Sequence, residues 1–131
     1  GKAIETRPGK DAVIIACGVM VAQAVDAANS LEKEGISVRV LDMHTLKPID
    51  EEAIVKAARD TGAILTLEDH YTIGGLGSAV AEVIADKNLD CRFTRMGIPQ
   101  VFPGFGDGPE LYDKYGFGLE GTIAALRDMI K

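Results

Sequence analysis

The sequence has no tryptophan, only two cysteines, and no apolar run long enough to cross a membrane. A helical span needs roughly 18 consecutive apolar residues, and the longest run here, Ala12 to Cys17, is the length of a strand. Basic charge is also scarce: 14 Lys and Arg stand against 20 Asp and Glu, a net charge of −6 at pH 7. An acidic balance spread along the chain argues against a nucleic-acid partner, whose binding selects a basic face. Repeats and low-complexity tracts are missing, which excludes a solenoid and a disordered chain. Cys17 and Cys91 lie 74 positions apart, with no CxxC pair and no histidine at metal-ligand spacing. They read as two reduced thiols of a cytoplasmic protein, with no metal site. A signal peptide and an initiator Met are absent too. The opening Gly1-Lys2-Ala3-Ile4 resembles strand sequence, which suggests a piece of a longer polypeptide.

What is present is one domain's worth of chain, 131 residues of which 47% are apolar. Strand-like and helix-like segments alternate. Ala12 to Cys17 is a continuous β-branched run closed by Gly18, as in a strand buried on both faces. Residues 19 to 34 then place Val21, Val25, Ala28 and Leu31 on one helical face, with Gly35 positioned to end the helix in a left-handed conformation. Ile36 to Asp42 alternates as a second strand. The turn Lys47-Pro48-Ile49-Asp50 offers Asp50 as the cap of a helix from Glu51 to Thr61, which Gly62 ends. Ala63 to Glu68 forms a third strand, and a loop from Asp69 to Ile73 leads into Gly74-Gly75-Leu76-Gly77-Ser78 and a helix carrying Val80, Val83 and Ile84. Cys91 to Met96 is a fourth strand, followed by a Gly- and Pro-rich stretch from Gly97 to Pro109. A short helix near Glu110 to Lys114 precedes a last one with Ile123, Leu126, Met129 and Ile130 on one side. Repeated strand–helix–strand units predict an α/β fold of three layers with parallel strands. Lys2 to Arg7 is short and polar and adds at most an edge strand.

Gly74-Gly75-Leu76-Gly77 fails as a dinucleotide fingerprint, because five residues separate it from the strand end at Glu68 and the glycine frame closes on Val80. It reads instead as a flexible helix start with bare backbone N–H groups. Gly74, Gly75, Gly77 and the Ser78 hydroxyl there would hold an anion weakly or let another chain pack closely. Glu68-Asp69-His70 follows a strand's carboxyl end, where open α/β sheets bind ligands. Two carboxylates beside an imidazole suit proton transfer or, better, an ion-pair or interface cluster, since no Ser or Cys is near enough in sequence to complete a nucleophilic set. Cys17 is expected to be an inert packing residue, and His44 has no partner visible in sequence. Gly106-Asp107-Gly108 resembles the start of the metal-diphosphate motif of thiamine enzymes. None of the 23 residues after Gly108 is the Asn that motif requires, so it reads as a turn.

Taken together, Gly18-Val-Met-Val, the run Gly35 to Asp50 with its Met43-His44-Thr45-Leu46-Lys47-Pro48, and the run Leu65 to Glu82 resemble the C-terminal domain of transketolases. The resemblance extends over the whole of residues 1–131, as a single domain. The Gly-Gly-x-Gly helix start and the Lys-Pro-x-Asp turn are shared with deoxyxylulose-phosphate synthases and with β subunits of 2-oxoacid dehydrogenases. The wording is closest to transketolases encoded as separate N- and C-terminal sections. The resemblance implies a mostly parallel five-stranded sheet with one antiparallel edge strand, which promotes Lys2 to Arg7 to that edge. It implies transfer of a two-carbon ketol unit between sugar phosphates, with thiamine diphosphate and a divalent metal in the full enzyme. The residues holding those groups lie on other domains or on an N-terminal section, the expected partners, within a homodimer. The chain alone is expected to bind no cofactor and to be inactive, with no membrane or nucleic-acid partner. A stand-alone anion- or protein-binding module is the rival from another class. Glu68, His70, Gly74, Gly75, Gly77 and Ser78 carry over only as candidate anion or interface positions.

Overall fold

The computed structural model describes residues 1–131, and strands and helices alternate in it from Ala12 to Ile98. The strands are β1 (Ile4–Arg7), β2 (Ala12–Ala16), β3 (Val38–Asp42), β4 (Ala63–Tyr71) and β5 (Arg92–Ile98). The helices are α1 (Met20–Glu32), α2 (Glu51–Thr61), α3 (Leu76–Asp86), α4 (Gly108–Lys114) and α5 (Leu119–Ile130). The five strands form one sheet in the order β1-β3-β2-β4-β5. β2, β3, β4 and β5 pair in parallel, and β1 alone runs antiparallel, with Ile4 opposite Asp42 at the end of β3. The fold is therefore the three-layer α/β arrangement with one antiparallel edge strand.

β2 is buried along its whole length because helices cover both faces. Its alternate side chains divide the core. Ala12, Ile14 and Ala16 pack with Leu65 and Leu67 under Met20, Ala24, Ala28, Leu31, Ile123 and Leu126 of α1 and α5. Val13 and Ile15 pack with Ile64 under Ile54, Leu76, Val80 and Val83 of α2 and α3. Local signals set the boundaries. The Asp50 carboxylate accepts from Ala53 N at 3.1 Å and so caps α2, and Gly62 ends that helix at φ +67°. Asp50 also accepts from Ala3 N at 2.8 Å, fastening the chain before β1 to the start of α2.

Three boundaries differ from the sequence reading. β4 continues to Tyr71, where a loop from Asp69 was expected, because Tyr71 pairs with Ile98 of β5. The register shifts between Leu67 and Tyr71, so the extension lacks the even alternation that marks a strand. For the same reason β5 continues through Gly97 to Ile98, into the stretch read as Gly- and Pro-rich loop. α4 begins at Gly108, so Gly106-Asp107-Gly108 leads straight into a helix with Asp107 at its cap position. No helix is long and apolar enough to cross a membrane.

Candidate functional site

The carboxyl ends of the parallel strands carry the loops, and in an open α/β sheet that edge is where chemistry gathers. The residues singled out in the sequence meet there, at the junction of β4 and α3. Glu68 points from β4 to the start of α3 and is 2% exposed. Its two carboxylate oxygens accept from Leu76 N at 2.7 Å and from Gly77 N at 2.9 Å. Those amides belong to the first turn of α3 and have no partner within the helix. The helix start is therefore not bare, as its glycines suggested. The anion that a helix N-terminus attracts is supplied by the protein itself, eight and nine residues back along the chain.

The glycines exist to let this carboxylate in. Gly74 is left-handed at φ +85°, turning the chain into the helix. A Cβ on Gly75 would overlap the Glu68 carboxylate and stand 2.7 Å from His70 Nδ1. On Gly77 it would come within 2.9 Å of Thr66 Oγ1 and of Arg95 Cδ. Ser78 serves the same loop: its Oγ accepts from Gly74 N at 2.8 Å and lies 3.4 Å from both Thr72 O and Arg95 Nη1. Arg95 also donates to Thr72 O at 3.1 Å. Its guanidinium thus spans from β5 to the turn before α3.

Glu68, Asp69 and His70 do not form one constellation, because successive strand residues face opposite sides of the sheet. His70 stays near Glu68, with Nδ1 3.8 Å from Oε2, and donates to Tyr71 O at 2.7 Å. Asp69 turns to the other side, where its Oδ2 accepts from Tyr112 of α4 at 2.7 Å. That bond, burial and the neighbouring negative charge together push the Tyr112 phenol up to about 12. Cys17 and Cys91 are free and half-buried. Burial, then the Glu68 and Asp42 charges, raise the Cys17 thiol above its ordinary value, so it is a poor nucleophile. His44, which the sequence left without a role, donates from Nε2 to Lys2 O at 2.9 Å and accepts from Thr45 Oγ1 at 2.7 Å, pinning the chain ahead of β1.

Three participants went unnoticed in the sequence. Gly97 lies against the main chain of β4, where a Cβ would stand 2.5 Å from His70 O and 3.3 Å from Glu68 Cγ. A lone glycine inside a strand is the usual sign of such an approach, but the Gly- and Pro-rich run that follows Gly97 masks it. Arg95 and Tyr112 had no sequence signal, since each acts across a separation of 17 residues or more.

The residues present do not fit thiamine diphosphate. The amides that could receive a diphosphate are taken by a buried carboxylate, which repels one. Asp107 makes no side-chain bond even to its own helix. No group of three or more His, Cys, Asp and Glu side chains is placed to hold a metal ion.

Comparison with known proteins agrees with this architecture. The family described as transketolase, C-terminal domain, matches residues 1–121. The chain is 42% identical over 130 residues to the 1-deoxy-D-xylulose-5-phosphate synthase of Syntrophotalea carbinolica, covering 99% of this chain and 20% of that protein. It is 40% identical over 131 residues to one of the subunits of the apulose-4-phosphate transketolase of Phocaeicola vulgatus, covering all of this chain and 41% of that one. Among solved structures, a split-gene transketolase described as an inactive β4 tetramer is 43% identical, with a TM-score of 0.91 over 98% of this chain and 42% of its own. The chain thus spans less than half the length of each of these relatives. With the predicted fold and the family match in agreement, the chain belongs to the transketolase C-terminal domain family.

Proposed function

We propose that this chain is the C-terminal, assembly-supporting domain of a cytoplasmic transketolase that transfers a two-carbon ketol unit between sugar phosphates. The observation that carries the reading is the Glu68 carboxylate seated on the first-turn amides of α3. It spends the domain's natural anion site on holding the β4–α3 loop rigid, which suits a scaffold and not a phosphate-binding centre. Thiamine diphosphate and a divalent metal then belong to the other domains, or to a separate N-terminal section, of a homodimeric enzyme. Glu68, Gly74, Gly75, Gly77 and Ser78 build the loop, and His70 lies at its surface as an interface position.

The test is calorimetric titration of the 131-residue chain with thiamine diphosphate and magnesium, followed by a ketol-transfer assay with and without the N-terminal part of the enzyme. No heat and no turnover are expected from the chain alone, with activity appearing when the missing part is supplied. A micromolar dissociation constant for the isolated chain would overturn the reading. The 42% identity to a deoxyxylulose-phosphate synthase favours a second assignment within the same family. Release of a deoxyxylulose phosphate by the completed enzyme would establish it.

A further inference from the structure

Beside the bond from Tyr112 to Asp69 lies a cavity of about 190 Å³, enclosed by the ends of β4 and β5, the 99–107 loop and α4. Three aromatic residues wall it, Tyr112, Tyr115 and Phe117, and Ile98 and Leu111 add aliphatic surface. The rings of Tyr112 and Phe117 lie 5.0 Å apart at 43°, a spacing at which aromatic pairs hold each other in place. Phe117 is buried at the base of this group, whereas Asp69 is exposed. The carboxylate therefore stands at the mouth of an apolar chamber.

Charge decides what such a chamber prefers. Asp69 Oδ2 accepts from Tyr112 Oη at 2.7 Å, and no Lys, Arg or His lines the cavity to neutralise the carboxylate. An anionic guest is repelled by Asp69. A divalent metal ion finds no ligand set, because no group of three or more His, Cys, Asp and Glu side chains is placed to hold one. An organic cation is attracted twice, by the carboxylate and by the negative faces of the rings. The outer wall already shows this attraction, since Lys114 Nζ lies 5.4 Å from the centre of the Tyr115 ring. Size narrows the class further. A cavity of about 150 Å³ holds a benzene-sized guest, so this one has room for an ammonium clothed in methyl groups and not for a nucleotide. Methyl groups also spread the charge and lower the cost of leaving water, which suits walls that offer one carboxylate and little else that is polar.

We infer that this cavity is a binding site for a small organic cation with a methylated ammonium head. The inference is independent of the proposed function, because it uses only side chains of this chain and no step of ketol transfer.

The experiment titrates the isotope-labelled 131-residue chain, whose sheet is covered on both faces by its own helices, and follows its amide resonances. Choline is the probe, and the neutral dimethylbutanol of the same shape is the control. Choline should shift the amides of residues 98 to 117 saturably at millimolar concentration, and the neutral alcohol should bind about tenfold more weakly. Asp69→Asn, at an exposed position and still able to accept from Tyr112, should abolish that preference while leaving the alcohol's binding unchanged. Tyr115→Leu should weaken choline and spare the alcohol. Equal binding of the two compounds would overturn the assignment in favour of a plain apolar cavity. Shifts spread over the surface without saturation, or unaltered in Asp69→Asn, would overturn it as well. A capped trimethyllysine run alongside separates two sources of the same head group: tighter binding than choline supports the site with a modified side chain as its guest, and weaker binding supports it with a free solute.

Discussion

At the amino ends of the parallel strands, main chain closes on main chain. Asp11 N donates to Ser37 O at 2.8 Å, and the Asp11 carboxylate accepts from Ser37 N at 2.7 Å, tying the start of β2 to the approach to β3. Arg92 N donates to Gly62 O at 2.8 Å, and the Arg92 guanidinium reaches Lys131 O at 2.8 Å, tying the starts of β4 and β5 to the end of α5. At the carboxyl ends the main chain is held as firmly, by Glu68, Arg95, Ser78 and His44, yet seven large apolar side chains face outward. The amino end is finished and the carboxyl end is rigid but uncovered. Rigidity and closure are thus separate properties, supplied by different residues. At the carboxyl end the glycine-rich segment supplies the first, and the exposed Phe102 and Phe105 mark the lack of the second.

Glu68 carries the rigidity of the carboxyl end, so its loss gives the largest effect. Glu68→Ala leaves two first-turn amides of α3 unpaired in the interior. Charge-assisted bonds to buried donors contribute about 1.5–3 kcal/mol each, so the variant should lose about 4 kcal/mol in urea unfolding. Gly75→Val should approach this value, because its Cβ occupies the carboxylate's position. A loss under about 1 kcal/mol in both would show that the amides find other partners.

The second effect lies at Asp50, which ties the N-terminal segment to α2. Burial opposes its charge, but the bonds from Ala3 N and Ala53 N, with Lys2 and the N-terminal amine nearby, outweigh that and lower its pKa below the ordinary 3.8. A depressed folded value contributes stability that is complete above the unfolded pKa and is lost as pH falls through the folded one. Asp50→Ala removes a helix cap and the anchor of the chain before β1, at a cost of about 2 kcal/mol at neutral pH. Asp50→Asn keeps a capping oxygen and should flatten the loss of stability below about pH 4. An acid-unfolding profile unchanged by the amide would contradict the assignment.

Much of this division was legible in the sequence. Asp50 announced itself as a cap, Gly62 as a helix stop, and the β-branched run at Ala12 as a central strand, because each acts within a few residues. Glu68 and the glycines stand out in the sequence but their relation does not, since a carboxylate reaching a helix start eight residues later leaves no periodic trace. Gly97 and the extension of β4 were hidden by the register shift, which breaks the alternation a strand is read by. The outward phenylalanines lie in a loop without apolar periodicity, so only their exposure in the fold reveals them.

Tyr112 links α4 to the carboxyl end through Asp69, and its effect is smaller because that bond is close to solvent. With the phenol raised to about 12, it contributes stability that is complete below its ordinary 10.0 and is lost as pH rises towards 12. Ultraviolet titration should show a late phenol step at about 12. Tyr112→Phe should remove that late step and cost about 1 kcal/mol at neutral pH. A phenol titrating at its ordinary 10.0 in the folded protein would show the bond to Asp69 to be absent.

The smallest effect on the domain is expected where the sequence looks most hydrophobic. Phe102 and Phe105 stand fully exposed, so the double variant Phe102→Asp/Phe105→Asp removes no burial from the 131-residue chain. Its stability should stay within about 0.5 kcal/mol of the parent, and its tendency to self-associate should fall as the patch gains charge. Asp11→Ala, at the finished end, exchanges one surface-bounded carboxylate for a methyl and should still cost about 1 kcal/mol, because Ser37 N loses its partner. The pairing inverts the usual expectation that apolar residues stabilise and polar ones decorate. Urea unfolding of the two variants of the 131-residue chain measures that contrast. If the double variant destabilises the domain by more than about 1 kcal/mol, the two phenylalanines belong to this domain's own core and the contrast between its ends disappears.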